Sequence, residues 1–496
     1  MSRINTNVQS LIARRAIGIN NASLQQSLER LSTGLRINTG GDDPAGLIAS
    51  ETLRSSIRAI STAIDNATRA DTIVNVAEGG LQEISSLLLE LESLVDQSAN
   101  EAGLTAEEVS ANQLQIDAIL QSIDRLANST AFGDTKLLNG NYDFVTSGVN
   151  IDEPTGTAVD HLDRVQVNSA KVPNGAYRQV NVNVVTGSEF AYISATGGAG
   201  TFGTGGAVSA VTIQITGNLG GDVISFASGT TAATIRDAIN DRTQLTGVSA
   251  VLSGAGTAAS PTAIMLTSNS FGSDAFVSVS VVSQASATAL SLPGGAAEKD
   301  FGVDGTVTIN GANAIVSGLD ASIRSATLSV DLTLSRTFGS TDGGTSSFEI
   351  TDGGANFSIS PTVGLAGLES IGISEVTAAK LGNIGIGFLS TLGSGLTNDL
   401  SSENFTTAQR IVRAAINQVA SLRGRLGAFQ KDTLQTTISS LQVARENVTA
   451  AESAIRDADF AVETSALTRA QILVNSSTAV LQIANAQPQN VLSLLQ

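Results

Sequence analysis

Apolar residues recur along both ends of this chain at intervals of three and four, and through its middle at intervals of two. Near the start, Leu24, Leu28, Leu31 and Leu35 follow a 4-3-4 spacing, that of a helical seam. Val74, Ala77, Leu81, Ile84, Leu88, Leu91 and Val95 repeat 3-4-3-4-3-4, which predicts one helix over 45–100, about 80 Å long. A second helix is expected over 105–128, carrying Val109, Ile116, Ile119, Ile123 and Leu126. At the far end Val412, Ile416, Val419, Leu426, Leu434, Ile438, Leu441 and Val448 predict another long helical stretch. After Asp457-Ala458-Asp459 comes a last helix with Leu467, Ile472, Leu473, Val480, Leu481 and Ile483. Proline breaks helix interiors, and none occurs between residues 45 and 153 or between 362 and 487. Asp43 is placed to cap a helix whose first residue is Pro44.

Between these ends the period changes. Val180–Val184, Val211–Ile215 and Leu328–Leu334 alternate apolar and polar residues, as half-buried strands do. Thr341-Asp342-Gly343-Gly344 and Thr351-Asp352-Gly353-Gly354 are expected as hairpin turns around Phe348-Glu349-Ile350. One short helix is expected over 232–241. The fold class is therefore α+β: long helical termini that pair, with a central, mainly antiparallel β insertion.

Composition narrows the function. The chain has 496 residues, a net charge of −18 and only 15% charged residues. That balance argues against nucleic acid, whose phosphates require clustered Lys and Arg. Cysteine is absent, which removes disulfides and thiolate metal sites, and His161 is the sole histidine. No cofactor or metal is expected. No run of about eighteen apolar residues is present to cross a membrane, and the first residues lack the apolar core of a cleaved export signal. Gly198-Ala199-Gly200-Thr201-Phe202-Gly203 matches a dinucleotide fingerprint, but no helix is expected after it, so it reads as a glycine loop. Asp222, Asp342 and Asp352 sit in glycine-rich turns without calcium-loop spacing. Asp42-Asp43 and Asp457-x-Asp459 read as helix caps rather than catalytic acid pairs. No enzymatic activity is expected.

The outermost helices carry apolar residues on more than one face: Leu11, Ile12, Ala16, Ile17 and Ile19 lie beside the Leu24 stripe. Two helices cannot cover surfaces that broad, so other copies of the chain are expected to do so. The expected contact residues are Leu11, Ile17, Leu24, Leu28, Leu31, Leu35, Leu81, Ile84, Leu88 and Leu91 in the N-terminal part. In the C-terminal part they are Ile472, Leu473, Val480, Leu481, Ile483 and Leu492.

Several segments resemble bacterial flagellins: Ile4–Asn7, Leu28–Asn38, Asp42–Leu47, Ala77–Leu81 and Gln97–Asn100 at one end, and Asp457–Phe460, Arg469–Leu473 and Pro488–Leu495 at the other. Thr234–Asn240 and Thr267–Phe276 are similar to a repeat of flagellins and hook-associated proteins. The resemblance implies a subunit of the extracellular flagellar filament, exported unfolded through the flagellar type III apparatus and folded beneath a cap. It implies an inner coiled-coil domain of residues 1–44 and 456–496. A rod-like second domain would comprise 45–175 and 362–455, and a variable, surface-exposed outer region 176–361, open to O-glycosylation. The implied partners are further copies of itself, cap and hook-associated proteins, and an export chaperone at the C-terminal helix. A hook–filament junction protein and a filament-displayed adhesin are the alternatives. In family members detected by the innate receptor TLR5, a segment resembling Gln-Arg-Met-Arg-Glu-Leu precedes the Gln-Ser-Ala-Asn run. Here Glu90 and Glu92 replace both arginines, so weak or absent receptor binding is expected.

Overall fold

A computed structural model describes residues 6–100, 103, 105–149, 161–172, 176–196, 210–253, 263–284, 291–293, 295–383, 385–402 and 404–493. The helices are α1 (Val8–Thr33), α2 (Pro44–Ser98), α3 (Ala106–Ser129), α4 (Ala232–Asn240), α5 (Thr243–Thr246), α6 (Arg336–Gly339), α7 (Phe405–Ala428), α8 (Thr436–Arg456) and α9 (Phe460–Ser493). Their ends follow local chemistry. Asn7 accepts the Ser10 N–H to begin α1, and Gly34 closes it in the left-handed conformation. Asp43 accepts the Gly46 N–H at 2.9 Å just before Pro44 opens α2, as expected. Thr105 and Glu108 form a reciprocal capping box on α3.

Contacts divide the chain into two units: Met1–Thr72 with Ser358–Leu368 and Gln430–Gln496, and Ile73–Phe357 with Glu369–Phe429. These divisions fall elsewhere than the sequence boundaries at 44/45 and 455/456, because α2 runs unbroken for 55 residues.

In the second unit, Val74, Ala77, Leu81, Ile84, Leu88, Leu91 and Val95 are all sealed from solvent. Ile116 and Ile123 of α3 and Ile411, Val412, Ala415 and Val419 of α7 are sealed as well. Polar pairs set α7 antiparallel to α2: Arg413 Nε donates to Glu92 at 2.8 Å, Gln409 to Asp96 at 2.6 Å and Arg423 to Glu78 at 2.7 Å.

The C-terminal stretch departs from the single helix its spacing predicts. Phe429–Gln435 is a π-helical segment between α7 and α8. The stripe explains it. Val412, Val419 and Leu426 are seven apart, Leu434 is eight further on, and Leu441 seven more. A wider π turn absorbs the additional residue and keeps Leu434 fully buried.

The central insertion forms two β cores. In the first, a five-stranded sheet runs in the order Ala312–Asn313, Thr306–Ile309, Arg178–Thr186, Thr345–Gly353, Phe144–Ser147. It shares a core with a four-stranded sheet ordered Ile315–Ser317, Asp320–Arg324, Leu328–Leu334, Leu162–Ala170. Val180, Val182 and Val184 face Leu328, Val330 and Leu332 in that core, as their alternation requires. This core recruits strands well before residue 176.

The second core joins the three-stranded sheet Phe190–Thr196, Ala263–Phe271, Val248–Ser253 to the four-stranded sheet Ala297–Phe301, Phe276–Gln284, Val211–Gly217, Gly220–Phe226. Ile235 and Ile239 of α4 seal it. Asn240 both donates to the Ala250 carbonyl at 3.1 Å and accepts its N–H at 2.7 Å, so a side chain occupies the free edge of that strand.

The two expected hairpin turns do not form hairpins. The strand Thr345–Gly353 pairs with Arg178–Thr186 and Phe144–Ser147, while its sequence neighbours Leu328–Leu334 and Ala355–Ser358 lie in other sheets. Gly353 turns the chain out of the sheet at φ 103°, where a Cβ would lie 2.1 Å from the Asp143 carbonyl oxygen.

Candidate assembly surface

The first unit buries little. Its α2–α8 contact is a core of Ile60, Ala63, Ile64 and Leu441, with Ile438, Ala444 and Val448 partly buried against it. The α1–α9 pair is thinner still. The two helices run antiparallel, tied by hydrogen bonds from Asn7 Nδ2 to the Ala484 carbonyl (2.7 Å), Ser10 Oγ to Asn485 (2.8 Å) and Asn20 Nδ2 to Ser477 (2.7 Å). Arg30 and the buried Glu463 approach at 4.0 Å near the other end. Among the described residues, α1 buries only Ala13 and Ser27, and α9 only Glu463, Ala470 and Ala484. Small side chains thus let the two backbones approach, while the large ones stay half-buried or exposed.

Leu11, Leu28, Ile472, Leu473, Val480 and Ile483 are exposed, with Leu11 and Ile472 each 61% accessible. Ile17, Leu24, Leu31, Leu35 and Leu481 are half-buried. The Leu492 side chain lies outside the described residues. An open groove of about 480 Å³ runs along α9, lined by Ser465, Thr468, Arg469, Ile472 and Leu473.

Leu81, Ile84, Leu88 and Leu91 are different. They are completely buried in the chain's own helical core, so no surface remains on them for another copy. A heptad stripe reports that a partner helix exists, not which molecule supplies it. Conversely, Val8, Phe460, Val462 and Ile48 are exposed apolar residues that the sequence analysis did not single out. They lie off the 3-4 repeat, and only an apolar moment on several faces could have flagged them.

The chain between α1 and α2 is pinned to the chain between α8 and α9. Arg36 N–H donates to the Arg456 carbonyl at 2.7 Å, and Ala458 N–H to the Gly34 carbonyl at 2.9 Å. Asp42 organises the turn, accepting from the N–H groups of Thr39 (2.9 Å) and Asn38 (3.2 Å), the Thr39 hydroxyl and Gln26 Nε2. These bonds, the Thr39 N–H foremost, hold its carboxyl down at about 2. Asp459 caps α9 through the N–H groups of Ala461 and Val462.

Other singled-out residues are absorbed locally. Asp342 accepts the Gly187 N–H, Asp352 accepts that of Gly353, and Asp222 pairs with Arg242. His161 stacks on Phe338 at 4.6 Å. The glycine loop at 198–203 lies outside the described residues.

Comparison with known proteins accounts for both ends. Residues 4–143 match the bacterial flagellin N-terminal helical region, 410–495 the C-terminal helical region, and 212–270 the flagellin hook IN motif. A flagellin of Salmonella rubislaw is 30% identical, with 99% of each chain covered. This chain belongs to the bacterial flagellin family. Flagellin D of Vibrio anguillarum is 28% identical, again over 99% of each chain. Solved structures align only weakly: the flagellar cap protein FliD of Bdellovibrio bacteriovorus has a TM-score of 0.27 and 12% identity over 42% of this chain and 100% of that one. As a flagellin, the chain is a structural subunit of the helical flagellar filament, and α1, α2, α3 and α7–α9 are the elements its terminal family regions comprise. No helix among the described residues is long and apolar enough to cross a membrane.

Proposed function

We propose that the outward apolar faces of α1 and α9 are the polymerisation seams of this flagellin. One observation carries the reading: the pair buries alanine and serine and exposes leucine, isoleucine, valine and phenylalanine. Large apolar surface left in water by the fold is removed from it by neighbouring copies, in head-to-tail contacts that generate an open helix. Leu11, Leu28, Ile472, Leu473, Val480 and Ile483 make those contacts, with Ile17, Leu24, Leu31, Leu35 and Leu481 at their margins. The subunit works outside the cell as a non-enzymatic building block and contacts the cap and hook-associated proteins at the filament ends. Before export through the type III apparatus, a chaperone covers the groove around Ile472 and Leu473, which otherwise invites premature assembly. The outer β region carries any O-linked sugars.

Deleting residues from Ile455 onward tests this. The truncated protein should fail to pellet as filaments while its β cores retain a cooperative thermal transition. Normal filaments from it would overturn the assignment.

We further propose that this flagellin engages TLR5 weakly or not at all. Glu90 is exposed and Glu92 is held by Arg413, placing acids beside an open groove lined by Leu89, Ser93, Asp96 and Gln97. A receptor surface complementary to two arginines meets like charge there. Potent signalling by the monomer in a reporter-cell assay would refute this.

A further inference from the structure

The segment Ser358–Leu368 leaves the β insertion and groups with the terminal helices. Asn66 of α2 ties it down by donating to the Ser358 carbonyl at 3.0 Å. Ala355–Ser358 and Leu368–Ile371 are paired strands, so the segment closes a hairpin. Its tip is tightly fastened. Ile359 is buried and its N–H donates to the Gly367 carbonyl at 3.1 Å. Gly367 N–H donates to the Gly364 carbonyl at 3.0 Å, and Thr362 N–H to Ser360 Oγ at 3.3 Å. Gly367 passes so close to Ser360 that a Cβ there would meet the serine Cβ at 2.3 Å. On this braced tip stands Val363, 97% exposed, the most exposed large hydrophobic among the described residues, with Leu365 beside it.

Resting on the assembly reading above, we infer that the Thr362–Ala366 tip is a knob that inserts into a neighbouring copy of this chain in the filament. Three observations select a second copy as the occupant. The tip belongs to the same unit as the apolar faces of α1 and α9. From Ser358 to Leu368 there is not one charged residue, in a chain whose net charge is −18. Copies that repel one another through most of their surface must meet where charge is missing. Finally, the tip is preformed, so insertion forfeits little conformational freedom, which favours a contact repeated at every subunit.

The chain has no cysteine, so a single engineered thiol reports cleanly. Full-length Val363→Cys and, as a control on the second β core, Val223→Cys would be reacted with a maleimide as monomers and as salt-induced filaments. Cys at 363 should react at least about tenfold more slowly in filaments than in monomers, with the control position less protected. Val363→Asp should raise the critical concentration for polymerisation about tenfold, the factor expected from losing one buried valine, with the monomer's melting temperature unchanged. Filaments in which position 363 reacts as fast as in monomers, or a Val363→Asp chain that polymerises like the parent, would overturn the inference and leave the α1–α9 seams standing. Failure of the unmodified chain to polymerise at all would instead sink the assembly reading and this contact with it.

Discussion

The α1–α9 pair and the two β cores solve the problem of apolar side chains in opposite ways. In the β cores the large residues are inside: Ile213, Ile215, Val277, Val279, Phe348 and Ile350 are all sealed. In the helix pair the sealed residues are mostly alanine and serine, and the large ones are half-buried or exposed. One region is complete as a single molecule. The other leaves large apolar side chains in water. On the assembly reading proposed above, stability and assembly are carried by separate residues, and substitutions should separate them.

The sharpest break is a core truncation. Ile213→Ala should cost about 2–5 kcal/mol of folding stability, read as a large drop in the thermal midpoint, because a buried branched chain is replaced by a cavity. Filaments formed below that midpoint should keep the parent's critical concentration. Gly353→Ala should follow at about 2 kcal/mol or more, since the added methyl collides with the Asp143 carbonyl and φ 103° strains an L-residue. The converse substitution is Ile472→Ala. Monomer stability should move by less than about 0.5 kcal/mol at this exposed site, while the critical concentration rises about tenfold if a neighbour buries the side chain. An Ile472→Ala chain that loses stability yet polymerises normally would reverse the roles assigned to the two regions.

The smallest effect is on pH. The Asp42 carboxyl is depressed from 3.8 to about 2, so the ionised form is favoured by the folded turn. Its contribution is fully present above about 3.8 and is lost as pH falls from there through about 2. Asp42→Asn should remove that dependence, read as flatter monomer stability between pH 4 and pH 2 than in the parent. Because the group lies half-buried at the surface, where solvent screens it, the difference should be minor beside those above.

The α+β layout, the helix ends at Asp43–Pro44 and Asp459, the alternating strands and the flagellin ends were all legible in the chain. They rest on local rules: proline exclusion, capping groups and side-chain period. The π segment was written in the spacing from Leu426 to Leu434, yet it becomes visible only when a single added residue is weighed against a seven-residue repeat. The Asp-Gly-Gly turns misled because glycine grants a bend without naming the strand it leads to. Gly353 sends the chain into a different sheet, a choice made by pairing partners some two hundred residues away.

Alone, then, the sequence determined where helices and strands form, which side of each is apolar, and the family. Only the tertiary structure decided which apolar stripes are spent within the molecule. Leu81, Ile84, Leu88 and Leu91 carry the same heptad signature as Leu24 and Leu28, but the former are capped by α3 and α7 and the latter are not. Periodicity is a property of one helix, whereas burial belongs to whatever is packed against it.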